Sequence, residues 1–373
     1  MKHIGQVVFF AFIILFLSCL SINGCSISEK PVVLNETKAT AEPDRFTEAI
    51  AKMTLRQKIS SLIIVGLDET SVNDQVRLRF SEYPYGGIIL FEHNYIREDW
   101  LVDFIEDLKA ISIHEYPLIV CIDEEGGAVS RLPDLNFPSA AEMAKMNEEE
   151  VFAIGKAMAD QLSLIGINMN LAPVLDINVN PDNQVIGNRS FGNDPEVVST
   201  YGIAFFKGLE KGGLLAVGKH YPGHGSTKVD SHYELPVLDK TEEDLFAFEL
   251  IPFRNAVRAG IPVIMTAHLV VSGIDDRPAT MSKPLIELLR SDLGFEGVII
   301  SDDLLMGALT ENYSWPEIVL ETYMAGVDLL LIGSDIEKQM EAVHLLEAAY
   351  QEGLITDERL DSSLRRIMAI QTW

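Results

Sequence analysis

The sequence is short of positive charge, of cysteine and of membrane-length apolar runs, and each shortage excludes a class of protein. Its 373 residues carry 29 Lys and Arg against 56 Asp and Glu, a formal net charge of −27. Recognition of a phosphate backbone needs a basic surface, so no nucleic-acid partner is expected. Three cysteines, Cys19, Cys25 and Cys121, are too few and too oddly placed for a disulfide framework. The N-terminal apolar run, Val7 to Leu17, is too short to span a bilayer comfortably. What is present is an ordinary globular composition, 47% hydrophobic and 23% charged, with enough apolar residues for a sizeable core. The length by itself allows one large domain or two.

Lys2 and His3 ahead of the apolar run mark a secretory signal rather than an uncleaved anchor helix. Its end, Leu20-Ser21-Ile22-Asn23-Gly24-Cys25, resembles the bacterial lipoprotein signal, in which a small residue precedes the cysteine that is lipidated. That resemblance implies a signal peptide over 1–24, lipidation at Cys25 and an extracytoplasmic protein held on the cell membrane. Acyl chains such as palmitate contribute about 0.8 kcal/mol per buried methylene, so several would hold the protein to a membrane surface without a spanning helix. Residues 25–44 are polar, contain Pro31 and Pro43, and read as a tether. After cleavage Cys25 carries lipid and Cys121 lies in the apolar run Leu118-Ile119-Val120-Cys121, so no disulfide is expected.

From Phe46 onward a unit recurs: an apolar run, a chemically loaded segment, then a helical-looking stretch. The runs are Ser61 to Gly66, Gly86 to Phe91, Pro117 to Ile122, Ile167 to Ala172, Leu214 to Gly218, Pro262 to Met265, Gly297 to Ile300 and Asp328 to Ile332. Between them, Glu149 to Leu164, Glu242 to Ala259 and Trp315 to Ala325 show apolar residues at helical spacing. Continuous Val/Ile/Leu runs alternating with helices mean buried parallel strands. Eight such units predict an α/β protein with a (β/α)8 barrel over 45–373 as one domain, with a doubly wound open sheet as the alternative.

The polar chemistry favours the barrel, because almost every run ends in it. The second leads into Glu92-His93-Asn94, the third into Asp123-Glu124-Glu125-Gly126-Gly127 and the fourth into Pro173-Val174-Leu175-Asp176. The fifth leads into Lys219-His220-Tyr221-Pro222-Gly223-His224-Gly225, the sixth into Thr266-Ala267-His268 and the seventh into Ser301-Asp302-Asp303. In a parallel barrel all strand C-termini open on one face, so these residues converge on one pocket. Taken singly, each strand-end Asp or His can instead cap a helix or bond a loop. Gly213 to Lys219 matches the spacing of a phosphate-binding glycine loop, yet its interior is an apolar strand and His220 follows the lysine. The first strand offers no ligand for zinc, so no metal or other cofactor is expected.

Gly218 to Thr227 followed by Asp230-Ser231-His232 closely resembles the signature of family 3 glycoside hydrolases of the β-N-acetylglucosaminidase branch. Asp123 to Gly127 with Arg131-Leu132, Gly187 to Gly192, Met265 to His268 and Ser301 to Leu304 resemble that branch's other blocks, in its order. The resemblance implies an exo-acting, retaining hydrolase that removes terminal β-linked N-acetylglucosamine, typically from peptidoglycan fragments, so a carbohydrate is the expected partner. It implies Asp302 as nucleophile, His232 as acid/base with Asp230 as its partner, and Asp123, Arg131, Arg189, Lys219 and His220 as substrate-binding residues. Asp176 and His268 are further candidates for the same rim, and Glu92 and Asp176 are next in line as acid/base.

Residue chemistry runs in parallel. Retaining hydrolysis needs a carboxylate under the anomeric carbon, and Asp302 ends a buried strand. Strand alternation turns Asp303 to the other side, as a loop or cap residue. An Asp paired with a His fixes the ring's tautomer and stabilises its protonated form, although an Asp-x-His loop can also be a solvated turn. Arg131 can instead pair structurally with Asp123. Three alternatives stand: a β-glucosidase-type enzyme of the same family, a non-catalytic sugar-binding lipoprotein, and a barrel lyase or aldolase using Lys219 as a Schiff-base nucleophile.

Overall fold

All eight apolar runs form strands in a computed structural model that describes residues 45–371, except 181, 182, 184, 228–230, 232 and 233. The expected signal peptide, tether and Cys25 lie outside the described residues, as do Asp230 and His232. The strands are β1 (Ile63–Gly66), β2 (Gly87–Leu90), β3 (Ile119–Ile122), β4 (Met169–Asn170), β5 (Leu215–Tyr221), β6 (Val237–Leu238), β7 (Val263–Thr266), β8 (Val270–Val271), β9 (Val298–Ser301) and β10 (Leu330–Ile332). Eight of them make one parallel sheet in the order β10-β1-β2-β3-β4-β5-β7-β9, while β6 and β8 form a small parallel pair outside it. The two ends of the large sheet meet through the bridge between Ile300 and Leu329, where the Ser301 N–H donates to the Leu329 carbonyl at 2.9 Å. The fold is a (β/α)8 barrel, and the open-sheet alternative falls.

The barrel strands are mostly apolar up to their C-terminal ends because both of their faces are covered, one by the barrel interior and the other by helices. Ile63, Ile64 and Val65 of β1 and Val298, Ile299 and Ile300 of β9 are fully buried. Each such side chain stabilises by about 1.5–3 kcal/mol relative to exposure.

The helix Glu148–Ile165 starts where Asn147 accepts from the Glu150 N–H and the Glu150 side chain reaches back, and it stops at Gly166, φ 97°. It lies close against Pro195–Lys211. A Cβ on Gly155 would sit 2.3 Å from the Phe205 carbonyl oxygen, so only glycine permits that approach. Trp315–Ala325 forms as expected. The expected helix over 242–259 is instead two, Glu242–Ala247 and Ile251–Arg258, because Pro252 lacks the N–H needed to continue and sits in the first turn of the second.

At the N-terminal ends of the strands the chemistry is structural. Buried Asp328, just before β10, receives Arg290 at 2.5 Å, Arg366 at 3.1 Å and Arg359 at 3.5 Å. The helices Arg45–Lys52 and Asp357–Gln371 pack together over this floor. The opposite face, where the strands end, is left to the polar segments.

Candidate active site

After β3, the alternation of an extended chain turns Asp123 and Glu125 to one side and Glu124 to the other. Lys219 Nζ lies 2.6 Å from Asp123 Oδ1 and 2.7 Å from Glu125 Oε1. Glu124 faces back into the loop, where one oxygen accepts from Ser130 Oγ at 2.9 Å and from the Arg131 N–H at 3.1 Å. The turn between needs left-handed backbone at Gly126, φ 83°, and Gly127, φ 63°. It returns Arg131 over the cavity, with its guanidinium 3.8 Å from Asp123.

Arg189 stands in a short turn led by Asn183, whose side-chain oxygen accepts from the Val185 and Ile186 N–H groups. Its Nε and Nη2 each donate to a separate Glu125 oxygen at 2.8 Å, and Nη1 donates to the Val185 carbonyl at 3.1 Å. Burial opposes charge on Glu125, but Lys219 and Arg189 outweigh it and hold the carboxyl far below the usual range. Burial likewise lowers Lys219, and the Asp123 and Glu125 carboxylates more than reverse it, leaving the ammonium raised. A Schiff-base lysine needs a depressed pKa and a free nitrogen. Lys219 has neither, which removes the aldolase reading.

Along β5 the register against β7 shifts between Gly218 and Tyr221, an irregularity of the kind that re-aims side chains. Two consecutive residues, Lys219 and His220, both line the cavity. His220 Nδ1 lies 2.6 Å from Asp176 Oδ2, so this nitrogen carries the proton and Nε2 faces Arg189 at 3.4 Å. Asp176 is fully buried and also accepts from the His224 N–H at 2.6 Å. Burial raises its pKa and the adjacent His220 ring reverses that, so it stays ionised. His224 is pushed down to about 4 by burial and is neutral, with Nδ1 2.9 Å from Thr227 Oγ1 and Nε2 3.3 Å from Ser231 Oγ.

At the end of β9, Asp302 lines the cavity and accepts from the Asp303 N–H at 2.8 Å. Burial works against its charge, yet the His268 and His220 rings and that N–H prevail and hold the carboxyl below its ordinary value. Asp303 turns away, as alternation predicts, and one oxygen accepts from the Leu305 N–H at 3.0 Å and the Gly333 N–H at 2.9 Å. Burial pushes its pKa up to about 6.

The result is a cavity of about 150 Å³ that brings together Asp123, Arg131, Arg189, Lys219, His220 and Asp302 from four separate stretches of chain. Asp176 and His268 stand behind it rather than on its rim. Asp176 orients His220, and the fully buried His268 contacts Thr280 Oγ1 at 2.8 Å and the Asp303 carbonyl oxygen at 2.9 Å. Glu92 lies outside the cavity, in an open trough beside it. Ser231, the residue between Asp230 and His232, lines the cavity, and its carbonyl accepts from the Ala308 N–H at 3.1 Å. Sequence reasoning missed Glu125 and His224. The signal for Glu125 was its place two residues after Asp123, which puts both carboxylates on one side of the chain. Among the described residues no group of three or more His, Cys, Asp or Glu could hold a metal ion.

Residues 54–370 match the glycosyl hydrolase family 3 N-terminal domain. The chain belongs to glycosyl hydrolase family 3. Membership in family 3 makes it a glycoside hydrolase. Among its family 3 relatives, the beta-hexosaminidase LpqI of Mycobacterium tuberculosis is 34% identical over 358 residues, which are 91% of this chain and 88% of the relative. The beta-hexosaminidase A of Pseudoalteromonas piscicida is 33% identical over 333 residues, 81% of this chain, and the match spans only 56% of that longer protein. Among solved structures, a family 3 beta-N-acetylglucosaminidase from Paenibacillus superposes with a TM-score of 0.82 at 36% identity, covering 86% of this chain and 62% of that one.

Proposed function

We propose that the protein is an exo-acting, retaining β-N-acetylhexosaminidase that removes terminal β-linked N-acetylglucosamine from peptidoglycan-derived fragments or similar glycans. The observation that carries this reading is the ionised Asp302 in a small enclosed cavity whose other walls are Arg131, Arg189, Lys219, Asp123 and His220. About 150 Å³ is well below the roughly 300–1,000 Å³ of pockets that enclose drug-sized ligands, which suits a single terminal sugar. Charged, rigidly held donors and acceptors suit its hydroxyls and amide. The relatives named as hexosaminidases support the N-acetylated sugar.

In the first step Asp302 attacks the anomeric carbon and forms a glycosyl ester while the leaving oxygen takes a proton from the His232 imidazolium. In the second, neutral His232 takes a proton from water, which attacks the ester and frees Asp302, so configuration is retained. Asp230 is the group that orients His232 and stabilises its charged form. Support comes from Ser231, which lies between these two residues and lines the same cavity as Asp302. We also propose that Cys25 anchors the enzyme outside the cytoplasmic membrane.

A substrate panel tests the activity. An aryl β-N-acetylglucosaminide is hydrolysed without added metal far better than the matching β-glucoside. Equal or better cleavage of the glucoside, or loss of activity with a chelator, defeats the assignment. No turnover of either leaves the sugar-binding lipoprotein reading.

A further inference from the structure

Arg131 reaches the cavity on a loop that leaves β3 and doubles back, and its guanidinium has only a loose hold of its own. It lies 3.8 Å from Asp123, and Nε is buried without a partner among the described residues. The aim of the side chain is therefore set by its main chain, and Glu124 fastens that main chain. The Arg131 N–H donates to Glu124 Oε2 at 3.1 Å, seven residues back, and the neighbouring Ser130 Oγ donates to the same oxygen at 2.9 Å.

Glu124 is itself held rigidly. It is fully buried, its N–H donates to Asn170 Oδ1 at 3.1 Å, and its carbonyl accepts from Asn170 Nδ2 at 2.7 Å. Asn170 ends β4, so the anchor of the loop is tied to the barrel sheet. Oε1 is buried without a partner among the described residues, and the side chain holds the loop through Oε2. A proton can settle on Oε1 without breaking either bond to Oε2, but both bonds then lose the assistance of the charge.

We infer that Glu124 is a positioning residue for substrate binding, whose charged carboxylate seats Arg131 over the terminal sugar. The inference rests on the glycosidase reading above, and it makes sugar affinity follow the charge of a group that never touches the sugar. Facing Glu124 are Ser130, Arg131 and Leu132 of the loop and Asn170 of β4, backed by Met158, and Arg131 is the charged member of this set. Its chain neighbours Asp123 and Glu125 point the other way and are taken by Lys219 and Arg189. Burial pushes Glu124 up to about 7, so its charge appears across the neutral range and the loop tightens as pH rises.

The probe is N-acetylglucosamine, with its Kd measured by calorimetry on the full-length protein from pH 5 to pH 8. Glu124→Gln keeps the shape and the accepting oxygen but never carries the charge. Its Kd is expected to match that of the unaltered protein within about twofold at pH 5 and to exceed it by about tenfold at pH 8, the scale of charge assistance lost from two hydrogen bonds. In an Arg131→Ala background the same substitution should change Kd at neither pH, because the residue through which Glu124 acts is gone. A ratio that does not change with pH, or one that persists in Arg131→Ala, overturns the positioning role while the glycosidase reading stands. If the unaltered protein neither binds N-acetylglucosamine nor hydrolyses its aryl glycoside, both fall.

Discussion

Asp176 Oδ2 lies 2.6 Å from His220 Nδ1, and that contact decides which nitrogen of His220 is turned toward the cavity. A carboxylate accepts only, so Nδ1 carries the proton and Nε2 is left for Arg189 or a sugar hydroxyl. Asp176→Asn places a side chain that also donates at this position and permits the other tautomer. The expected outcome is a loss of roughly 10- to 100-fold in kcat/KM on an aryl β-N-acetylglucosaminide, the scale of one hydrogen bond to a charged group. A change below twofold would show that the ring is held by other means.

Glu125 neutralises Arg189 and Lys219 together, so its removal leaves two cations facing each other in a buried place. Breaking a buried ion pair from one side costs about 3–5 kcal/mol. Glu125→Ala should therefore lose stability on that scale in denaturant unfolding and raise KM, whereas the swap at exposed Glu149 does neither. Retention of full stability would mean that water or Asp123 takes over the charge.

Burial pushes Glu124 up to about 7 from an ordinary 4.5, although Ser130 and the backbone lower it in part. Between those two values the folded protein binds more protons at this site than the unfolded chain, so stability falls as pH rises toward 7 and stays reduced above it. The effect is on the order of 3 kcal/mol. Melting temperature should therefore decline from pH 5 to pH 8 more steeply in the unaltered protein than in Glu124→Gln. Parallel curves for the two would contradict the assignment.

Asp302 and His232 should separate kinetically if they divide the two steps as proposed. Asp302→Ala removes the covalent intermediate and should abolish turnover of every substrate. His232→Ala should damage a disaccharide far more than an activated aryl glycoside, and added azide, which needs no general base, should partly restore the aryl reaction and yield a β-glycosyl azide. Loss of the same size on both substrates, unrelieved by azide, would move the acid/base role elsewhere.

For the anchor, Cys25→Ala should release the protein from the membrane fraction or block its processing. A mature-sized, membrane-bound Cys25→Ala protein refutes lipidation at that residue.

Most of the architecture was legible because buried parallel strands carry a local signature. Each apolar run needs no knowledge of its neighbours to read as a strand, and all eight fell within the barrel sheet. Asp303 was legible for the same reason, since alternation alone sends it away from Asp302. The broken helix over 242–259 was misread because apolar periodicity continued across Pro252, and only the missing N–H marked the interruption.

Other decisions belonged to the tertiary structure. His268 and Asp176 follow strand runs and were further candidates for the rim beside Lys219, but strand-end position does not say whether a side chain reaches the cavity or supports one that does. The register shift in β5 put consecutive Lys219 and His220 on the same cavity against the period of two. The sequence by itself determined the eight buried parallel strands, the strand ends at which the chemistry gathers and the residue types found there, because hydrophobic pattern and strand alternation act over a few neighbouring residues. Which carboxylates hold Arg189 and Lys219 was decided only when Asp123, Glu125, Arg189 and Lys219 met across long stretches of chain. Charge in a buried site is set by distance and desolvation, and neither is a local property of the sequence.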